Sequence, residues 1–215
     1  MSLKQYFVPE KLATTKSKIN KDIEIVNFGG HRRLDMGGLT QSGRIIEDIW
    51  NHGFKKLLLK GFAPQSALIL GFGAGSAARL IHRRWPQCAI TGVELDPQVI
   101  KLGKEYFSTD QIPHLRIVNA DAYSFVYHQR SKRYDLILVD CYLGDQIPPK
   151  LQLLSFYLHL SHLSDYILIN RLFWGKYQPP TINFLNRLET KFATTTTRTA
   201  SNFLISIKKA PVIRS

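Results

Sequence analysis

The central part of the chain alternates short apolar runs with amphipathic segments, at the spacing expected of an α/β domain. After Pro64, four apolar runs predict strands at 67–71, 89–95, 115–120 and 134–140. The segments between them predict helices at 76–85, 97–107 and 122–130. Strands that alternate with helices in this way imply a mostly parallel sheet covered by helices on both faces.

The segments on either side of this region follow a different pattern. Residues 22–28 and 31–37 alternate as strands around Gly29 and Gly30, which predicts a small N-terminal hairpin, and 1–21 is expected to be loosely structured. Ser42 is the expected N-cap of a helix at 43–59. The later elements predicted are a helix at 150–162, a strand at 166–172, a helix at 180–192 and an antiparallel strand pair within 194–208. We therefore expect an N-terminal extension at 1–63 and a main domain at 64–215.

Charge is distributed unevenly along the 215 residues. The net charge of +13 divides into +5 over residues 1–63, +1 over 64–145 and +7 over 146–215. Basic flanks attract anions, including nucleic acid, but no run of Lys and Arg is interleaved with stacking aromatics. A solvated surface is therefore favoured over a nucleic-acid interface, which stays open as an alternative.

The sequence also indicates the compartment. The N-terminal segment lacks the apolar core of a signal peptide, and no apolar run has the length of a membrane span. The two cysteines, Cys88 and Cys141, do not suggest a disulfide framework. We expect a cytoplasmic protein that does not bind membranes.

The candidate chemistry lies where the predicted parallel strands end. Gly71, Gly73 and Gly75 stand between the first strand and the helix that follows it, where glycine permits a tight turn and a close approach of the backbone to a ligand. One carboxylate follows or closes each of the next three strands: Glu94, Asp121 and Asp140. Because ligands of open α/β sheets bind at this edge, the joint pattern predicts a nucleoside site, with a carboxylate available for the ribose hydroxyls.

Two other interpretations of these residues remain. Asp121 and Asp96 suit the N-caps of the helices that follow them, so each carboxylate taken alone is better explained as a cap. A dinucleotide site is the second alternative, but Gly-x-Gly-x-Gly differs from the Gly-x-Gly-x-x-Gly of that site. No spacing of His, Cys, Asp or Glu predicts a metal site; His159 and His162 share a predicted helix face without a third ligand.

At these residues the chain resembles the spermidine and spermine synthases and their methyltransferase-like relatives. The resemblance covers roughly residues 22–151. Its motifs are RRLDMGGLTQSG (32–43), ALILGFGAGS (67–76), GVELDPQVI (92–100), NADAYSF (119–125) and YDLILVDCYLGDQIPPKL (134–151). The resemblance implies a Rossmann-like methyltransferase fold, S-adenosylmethionine or its decarboxylated form as the cofactor, a small-molecule substrate and a possible homodimer.

The resemblance also implies roles for individual residues. Gln41 would contact the sulfonium end of the cofactor, and Glu94, followed by Leu95, would hold the ribose. Asp121 and Ala122 would recognise the adenine. Asp140 would match the carboxylate that takes a proton from the attacking amine in that family, which makes it the expected catalytic residue.

Several residues depart from the polyamine synthases. Ala74 stands where those enzymes carry an Asp in the glycine loop, and Leu143 stands where most carry a second Asp. The acidic and aromatic helix positions of that family are Ile46-Glu47 and Trp50-Asn51-His52 here. A polyamine carries several positive charges, and this chain lacks most of the carboxylates that would balance them.

Three functions follow from these observations. The first is methyl transfer to a neutral or anionic acceptor, with Asp140 orienting the nucleophile or accepting its proton. The second is aminopropyl transfer with an altered amine site; a carboxylate such as Glu47 or Asp145 pointing into the space beside Gln41 would favour it. The third is a nucleoside-binding protein that performs no transfer and engages an anionic partner through its basic flanks.

Overall fold

The computed structural model describes residues 8–129 and 133–209. Its strands are β1 (Glu10–Thr15), β2 (Ile23–Phe28), β3 (His31–Met36), β4 (Leu39–Ser42), β5 (Ser66–Leu70), β6 (Ala89–Glu94), β7 (Leu115–Asn119), β8 (Leu136–Val139), β9 (Ile167–Leu172), β10 (Phe192–Arg198) and β11 (Asn202–Lys209). Its α-helices are α1 (Arg44–Leu57), α2 (Ser76–Arg84), α3 (Pro97–Phe107), α4 (Ala122–Tyr127), α5 (Leu154–Leu163) and α6 (Gln178–Glu189).

The main sheet of the described residues has the strand order β10-β11-β9-β8-β5-β6-β7. Strands β5 to β9 are parallel, whereas β11 runs antiparallel to β9 and pairs with β10 as a hairpin. The predicted α/β class, the mostly parallel sheet and the C-terminal antiparallel pair are thereby confirmed. Because β5 pairs with both β6 and β8, the chain order reverses beside β5, and a crevice opens there at the carboxyl ends of the strands.

A second, antiparallel sheet is formed by β1 to β4. The predicted hairpin is β2 and β3, which turn at two glycines with positive φ, 59° at Gly29 and 77° at Gly30. The expectation of a loose segment at 1–21 is wrong for Glu10–Thr15, because this segment pairs along the edge of β2 as β1. Residues 1–7 of that segment lie outside the described residues.

The expected role of Ser42 is also wrong. Gly43 is the N-cap of α1, and Ser42 is the last residue of β4. The buried Ser42 hydroxyl instead accepts a hydrogen bond from the backbone N–H of Ala74 at 2.8 Å, and the N–H of Gly43 donates to Ser76 Oγ at 2.8 Å. These bonds fix the start of α1 against the glycine loop.

Two of the later elements differ in extent from the prediction. The helix predicted at 150–162 is divided into a 3₁₀ turn, Pro149–Gln152, and α5. The helix predicted at 180–192 begins earlier, with prolines in its first turn, and stops at Glu189 so that Phe192 can enter β10. Residue 130 of the helix predicted at 122–130 lies outside the described residues.

The small sheet and the main domain share a hydrophobic cluster. Apolar side chains of β2 and β3 pack against Ala74 of the glycine loop and against Val99 and Leu102 of α3. The Asp96 carboxylate, which caps α3 as predicted, also accepts hydrogen bonds from Ser17 and Asn20 in the loop between β1 and β2. The small sheet is therefore held over the carboxyl end of the main sheet. No helix of the described residues is long and apolar enough to cross a bilayer.

Candidate functional site

A cleft lies at the carboxyl ends of β5, β6 and β8, under the small sheet, with about 680 Å³ of space, part of it open to solvent. We call it the glycine-loop cavity. The predicted site residues along its wall are Gln41, Gly71, Gly73, Glu94, Leu95, Asp121, Ala122 and Asp140. Ile19 and Met36 line its opposite side, so the loop after β1 and the end of β3 help to enclose it. Gly75, the remaining predicted residue, is not part of this wall.

The glycines of the loop have separate physical roles. Gly71 has a φ of 83°, and a Cβ there would lie 2.2 Å from the backbone oxygen of Asp140. Gly73 has a φ of 57°, and a Cβ there would lie 2.7 Å from Ser42 Oγ. Gly75 begins α2 in a left-handed conformation, where a Cβ would collide with Thr109. The three glycines therefore let the loop pack closely against the end of β8, against β4 and against Thr109, respectively.

Gly71→Ala is expected to destabilise the fold by more than about 3 kcal/mol, because the methyl group would meet main-chain atoms and the residue has positive φ. Thermal or urea unfolding measures this loss. Gly61→Ala is the matched control, since it has a φ of 81° but nothing within 4 Å of its added Cβ. A loss at Gly71 no greater than that at Gly61 would contradict the close approach of β5 and β8.

Glu94 is fixed by the backbone around it. Its Oε2 accepts a hydrogen bond from the N–H of Gly73 at 2.8 Å, and its Oε1 accepts one from the N–H of Asp96 at 3.0 Å. Burial raises the pKa of this carboxyl, and the backbone hydrogen bonds oppose that rise. Each carboxylate oxygen retains acceptor capacity, so Glu94 can accept a pair of ligand hydroxyls from a preset orientation.

Asp121 caps α4, as the simpler interpretation predicted, because its Oδ1 accepts from the N–H and the hydroxyl of Ser124. Lys150 also donates to Oδ1 at 2.9 Å. Burial raises the pKa of Asp121, but the hydrogen bonds from Lys150 and Ser124 outweigh it and leave the pKa lowered. Asp121 can therefore cap α4 and line the cavity at the same time. No local pattern in the sequence indicated that Lys150 would be its neighbour.

Asp140 directly follows β8 and lies between two hydrogen-bond donors. The indole N–H of Trp50, on α1, donates to Oδ2 at 3.1 Å, and the side-chain amide of Asn170, on β9, donates to Oδ1 at 2.9 Å. Burial raises the pKa of Asp140 to about 6, and the two hydrogen bonds partly offset that rise. A carboxylate with this pKa is mostly ionised at neutral pH and can still accept a proton.

The amide of Asn170 is itself fixed in orientation. Its Oδ1 accepts from the side-chain amide of Asn202 at 2.8 Å, and Ser201 Oγ donates to Asn202 Oδ1 at 2.6 Å. This relay runs from the turn between β10 and β11 to Asp140. Sequence reasoning did not find Asn170 or Asn202, because both lie after the resembling segment. Asn170 reaches Asp140, and Asn202 reaches Asn170, only through the pairing of the strands.

A second cavity, with about 660 Å³ of space, part of it open to solvent, lies on the other side of Gln41 and Asp140. We call it the side cavity. Its walls come from β4, α1, β9 and the turn before β11, and they include Ile45, Ile46, Ile49, Tyr142, Asn170, Leu172, Trp174 and Asn202. Among the described residues that line it, Asp140 is the one carboxylate. Gln41 stands between the two cavities, and its side-chain amide donates to the backbone oxygen of Gly144 at 3.1 Å.

The two other carboxylates considered from the sequence point elsewhere. Glu47 is bound by Arg79 at 3.1 Å and Arg83 at 2.6 Å. Asp145 is bound by Lys176 at 2.9 Å and by the hydroxyl of Tyr177 at 2.7 Å. Neither residue lines the glycine-loop cavity or the side cavity.

The remaining reactive groups near the site offer little chemistry of their own. Cys141 lines the glycine-loop cavity, but burial raises the pKa of its thiol well above the ordinary value, so it stays protonated. Within the described ranges, no cluster of three or more His, Cys, Asp or Glu residues has the geometry of a metal site.

Comparison with known proteins agrees with this architecture. A family model described as a methyltransferase domain matches residues 67–155. A probable polyamine aminopropyl transferase of Bifidobacterium longum is 36% identical over 92 residues, covering 43% of this chain and 20% of that protein. An eEF1A lysine and N-terminal methyltransferase homolog of Drosophila pseudoobscura is 30% identical over 152 residues, covering 67% of this chain and 23% of that protein. The chain thus spans less than a quarter of the length of either relative.

A solved structure extends the similarity to both sheets. Spermidine synthase from Thermotoga maritima superposes with a TM-score of 0.72 at 16% identity, covering 93% of this chain and 72% of that one. This coverage includes the small N-terminal sheet as well as the main domain. The chain therefore has the Rossmann-like methyltransferase fold in its spermidine synthase-like form.

Proposed function

We propose that this chain is an S-adenosylmethionine-dependent methyltransferase whose acceptor carries no cluster of positive charges. The observation that carries the proposal is the side cavity, in which Asp140 is the one carboxylate among the described lining residues. A polyamine would need several carboxylates there, whereas the walls are mainly apolar side chains and amides. A neutral or anionic small molecule suits them better.

The glycine-loop cavity suits the cofactor. Gly71 and Gly73 line the cleft and carry no side chain, so a ligand can approach the main chain of the loop closely. Glu94 would hold the ribose and Asp121 with Ala122 would bind the adenine, while Gln41 would face the sulfonium end. When bound, the cofactor supplies an electrophilic methyl group.

The acceptor is then held in the side cavity, next to Asp140. Trp50 and Asn170 fix both oxygens of this carboxylate, so it meets the acceptor without reorganising. Asp140 orients the nucleophile and accepts its proton, and apolar side chains of α1 line the space that would hold the acceptor. Positioning of this kind supplies most of the rate in a direct transfer.

Aminopropyl transfer is the second candidate, because the relatives that match the chain include proteins named as polyamine aminopropyltransferases. Asp140 favours it. The pairing of Glu47 with Arg79 and Arg83, and of Asp145 with Lys176, disfavours it, since neither carboxylate is left for an amine.

Thermal melting distinguishes these proposals. S-adenosylmethionine, its demethylated product, decarboxylated S-adenosylmethionine and methylthioadenosine are added separately to the full chain. A ligand at about 100 times its Kd should raise the free energy of unfolding by about 2.7 kcal/mol. A larger shift with the first two ligands supports methyl transfer, and a larger shift with decarboxylated S-adenosylmethionine supports aminopropyl transfer. The absence of a shift with all four would refute a nucleoside site.

Trp50→Phe is expected to raise the pKa of Asp140 above about 6, because it removes one of the two hydrogen bonds that stabilise the charged form. The acidic limb of the pH profile of kcat/KM should move upward by roughly 0.5 to 1 pH unit, and activity should recover at higher pH. A purely structural effect of the smaller side chain would instead lower activity equally at every pH. The matched control is Trp85→Phe, whose indole donates to the backbone oxygen of Phe62 away from the site.

A further inference from the structure

A buried arginine without an acidic partner lies next to the strand residue that orients Asp140. Arg171, on β9, is 4% exposed, and among the described residues no Asp or Glu forms an ion pair with it. Its Nε donates to Thr181 Oγ1 and its Nη2 donates to Gln152 Oε1, each at a long 3.3 Å. Its Nη1 is buried without a hydrogen-bond partner. Native proteins rarely leave a buried charge unpaired, so this arginine calls for an explanation.

Arg171 forms part of the wall of a third cavity, with about 850 Å³ of space, much of it open to solvent. We call it the Arg171 pocket. Its other polar lining residues are Tyr142, Asp145, Gln146, Gln152, Lys176, Tyr177 and Thr181. The Asp145 carboxylate is already engaged by Lys176 and Tyr177. The charge of Arg171 therefore has no counterpart in the pocket wall.

The surroundings of Arg171 add to this imbalance. The guanidinium carbon lies 4.1 Å from the centroid of the Phe184 ring, and Arg187 lies over the same ring at 5.8 Å. Burial lowers the pKa of Arg171, the nearby Tyr157 and Tyr142 raise it, and Arg187 lowers it again. An anion in the pocket would stabilise the charged guanidinium against the effect of burial.

The Arg171 pocket adjoins the side cavity. Tyr142 and Leu172 line both spaces. The hydroxyl of Tyr142 accepts from the N–H of Leu172 at 2.9 Å and donates to the backbone oxygen of Asn170 at 3.3 Å, so the tyrosine is held at the boundary that the two spaces share. One molecule that passes Tyr142 could therefore place one group in the side cavity and another in the Arg171 pocket.

We propose that the Arg171 pocket binds one anionic group, a carboxylate or a phosphate, and that this group is part of the acceptor substrate. The planar guanidinium suits such a group, since it can donate two parallel hydrogen bonds. Binding requires the guanidinium to turn toward the pocket, and the two 3.3 Å bonds that it gives up are weak ones. The assignment to the acceptor rests on the proposed function; the anion site itself does not.

The test uses inorganic phosphate and acetate as probes, with chloride at equal ionic strength as the reference. At about ten times its Kd, the anion that fits should raise the Tm of the full chain by roughly 3 °C or more above chloride. In Arg171→Met that difference should disappear. Arg116→Met is the matched control, because it removes an exposed arginine from β7 and should retain the full shift.

The outcomes separate the possible ligands and the two proposals. A shift with phosphate alone identifies a phosphate site, and a shift with acetate alone identifies a carboxylate site. No shift with either, or an equal shift in Arg171→Met, overturns the anion site, even if S-adenosylmethionine still stabilises the protein. If Arg171→Met does not fold, Arg171→Lys serves instead. Its Tm shift should be clearly smaller than that of the wild type, because the lysine ammonium group cannot donate the two parallel hydrogen bonds of a planar guanidinium. Once an acceptor has been identified, loss of the guanidinium should raise KM for that acceptor without changing the affinity for S-adenosylmethionine.

Discussion

Asp140→Asn is expected to lower kcat/KM for methyl transfer by roughly 10²–10⁴, because the amide cannot accept the proton that the carboxylate takes. The wild type should lose activity as the pH falls through about 6, since protonation of Asp140 removes the base. Activity is lost on the acidic side because the Asp140 carboxylate is ionised above its pKa of about 6 and neutral below it. The Asn variant should lack this limb of the pH profile.

The measurement is the transfer of labelled methyl groups to the acceptor between pH 5 and pH 8, together with the Kd for the cofactor. Asp165→Asn is the control, because that carboxylate is exposed and forms a surface ion pair with Arg133. Cofactor affinity should stay within a few-fold of the wild type in both variants. Equal activity in the Asp140 variant and the wild type would rule out the proposed base.

Glu94→Ala is expected to weaken nucleoside binding by about 100-fold or more while the domain stays folded. Two hydrogen bonds to a charged acceptor contribute together about 3 kcal/mol or more, which corresponds to this factor in Kd. The backbone donors of Gly73 and Asp96 would lose their side-chain acceptor. Because they lie beside an open cavity, water can replace it, and the fold should survive.

Calorimetric titration with S-adenosylmethionine and its demethylated product measures this effect, and circular dichroism checks the fold. Glu94→Gln retains the shape and one acceptor oxygen, so its loss should be intermediate. Glu105→Ala removes an exposed acid from α3 and should bind as the wild type does. An unchanged Kd for the Ala variant would show that the ribose contact was assigned to the wrong residue.

The main sheet was predictable because its signals are local. Each buried parallel strand is an apolar run of a few residues, and each crossover helix begins at a cap such as Asp96. β1 was not predicted, because its alternation is interrupted by polar residues and its order comes from pairing with β2. The role of Ser42 was misjudged because its partner, Ala74, is 32 positions away in the sequence.

The candidate site was partly predictable for a geometric reason. Carboxyl ends of parallel strands meet at one edge, so Glu94 and Asp140 could be placed together without coordinates. The relay behind Asp140 could not be predicted, because its partner Asn170 lies on a later strand and Asn202, the partner of Asn170, lies on the hairpin after that, and neither shares a motif with Asp140. The unpaired charge of Arg171 was likewise invisible, because it depends on burial and on which acids are absent from its surroundings.

The relay behind Asp140 has a consequence for the route of a proton during turnover. A proton can move along a chain of hydrogen bonds only through groups that release one proton while they accept another, as water and hydroxyl groups do. The indole of Trp50 and the amide of Asn170 donate to Asp140 without being able to take its proton at neutral pH. In the proposed reaction, a proton gained by Asp140 would therefore have no exit through these two groups. It would leave through the cavities once bulk solvent returned, which would couple regeneration of the base to departure of the product.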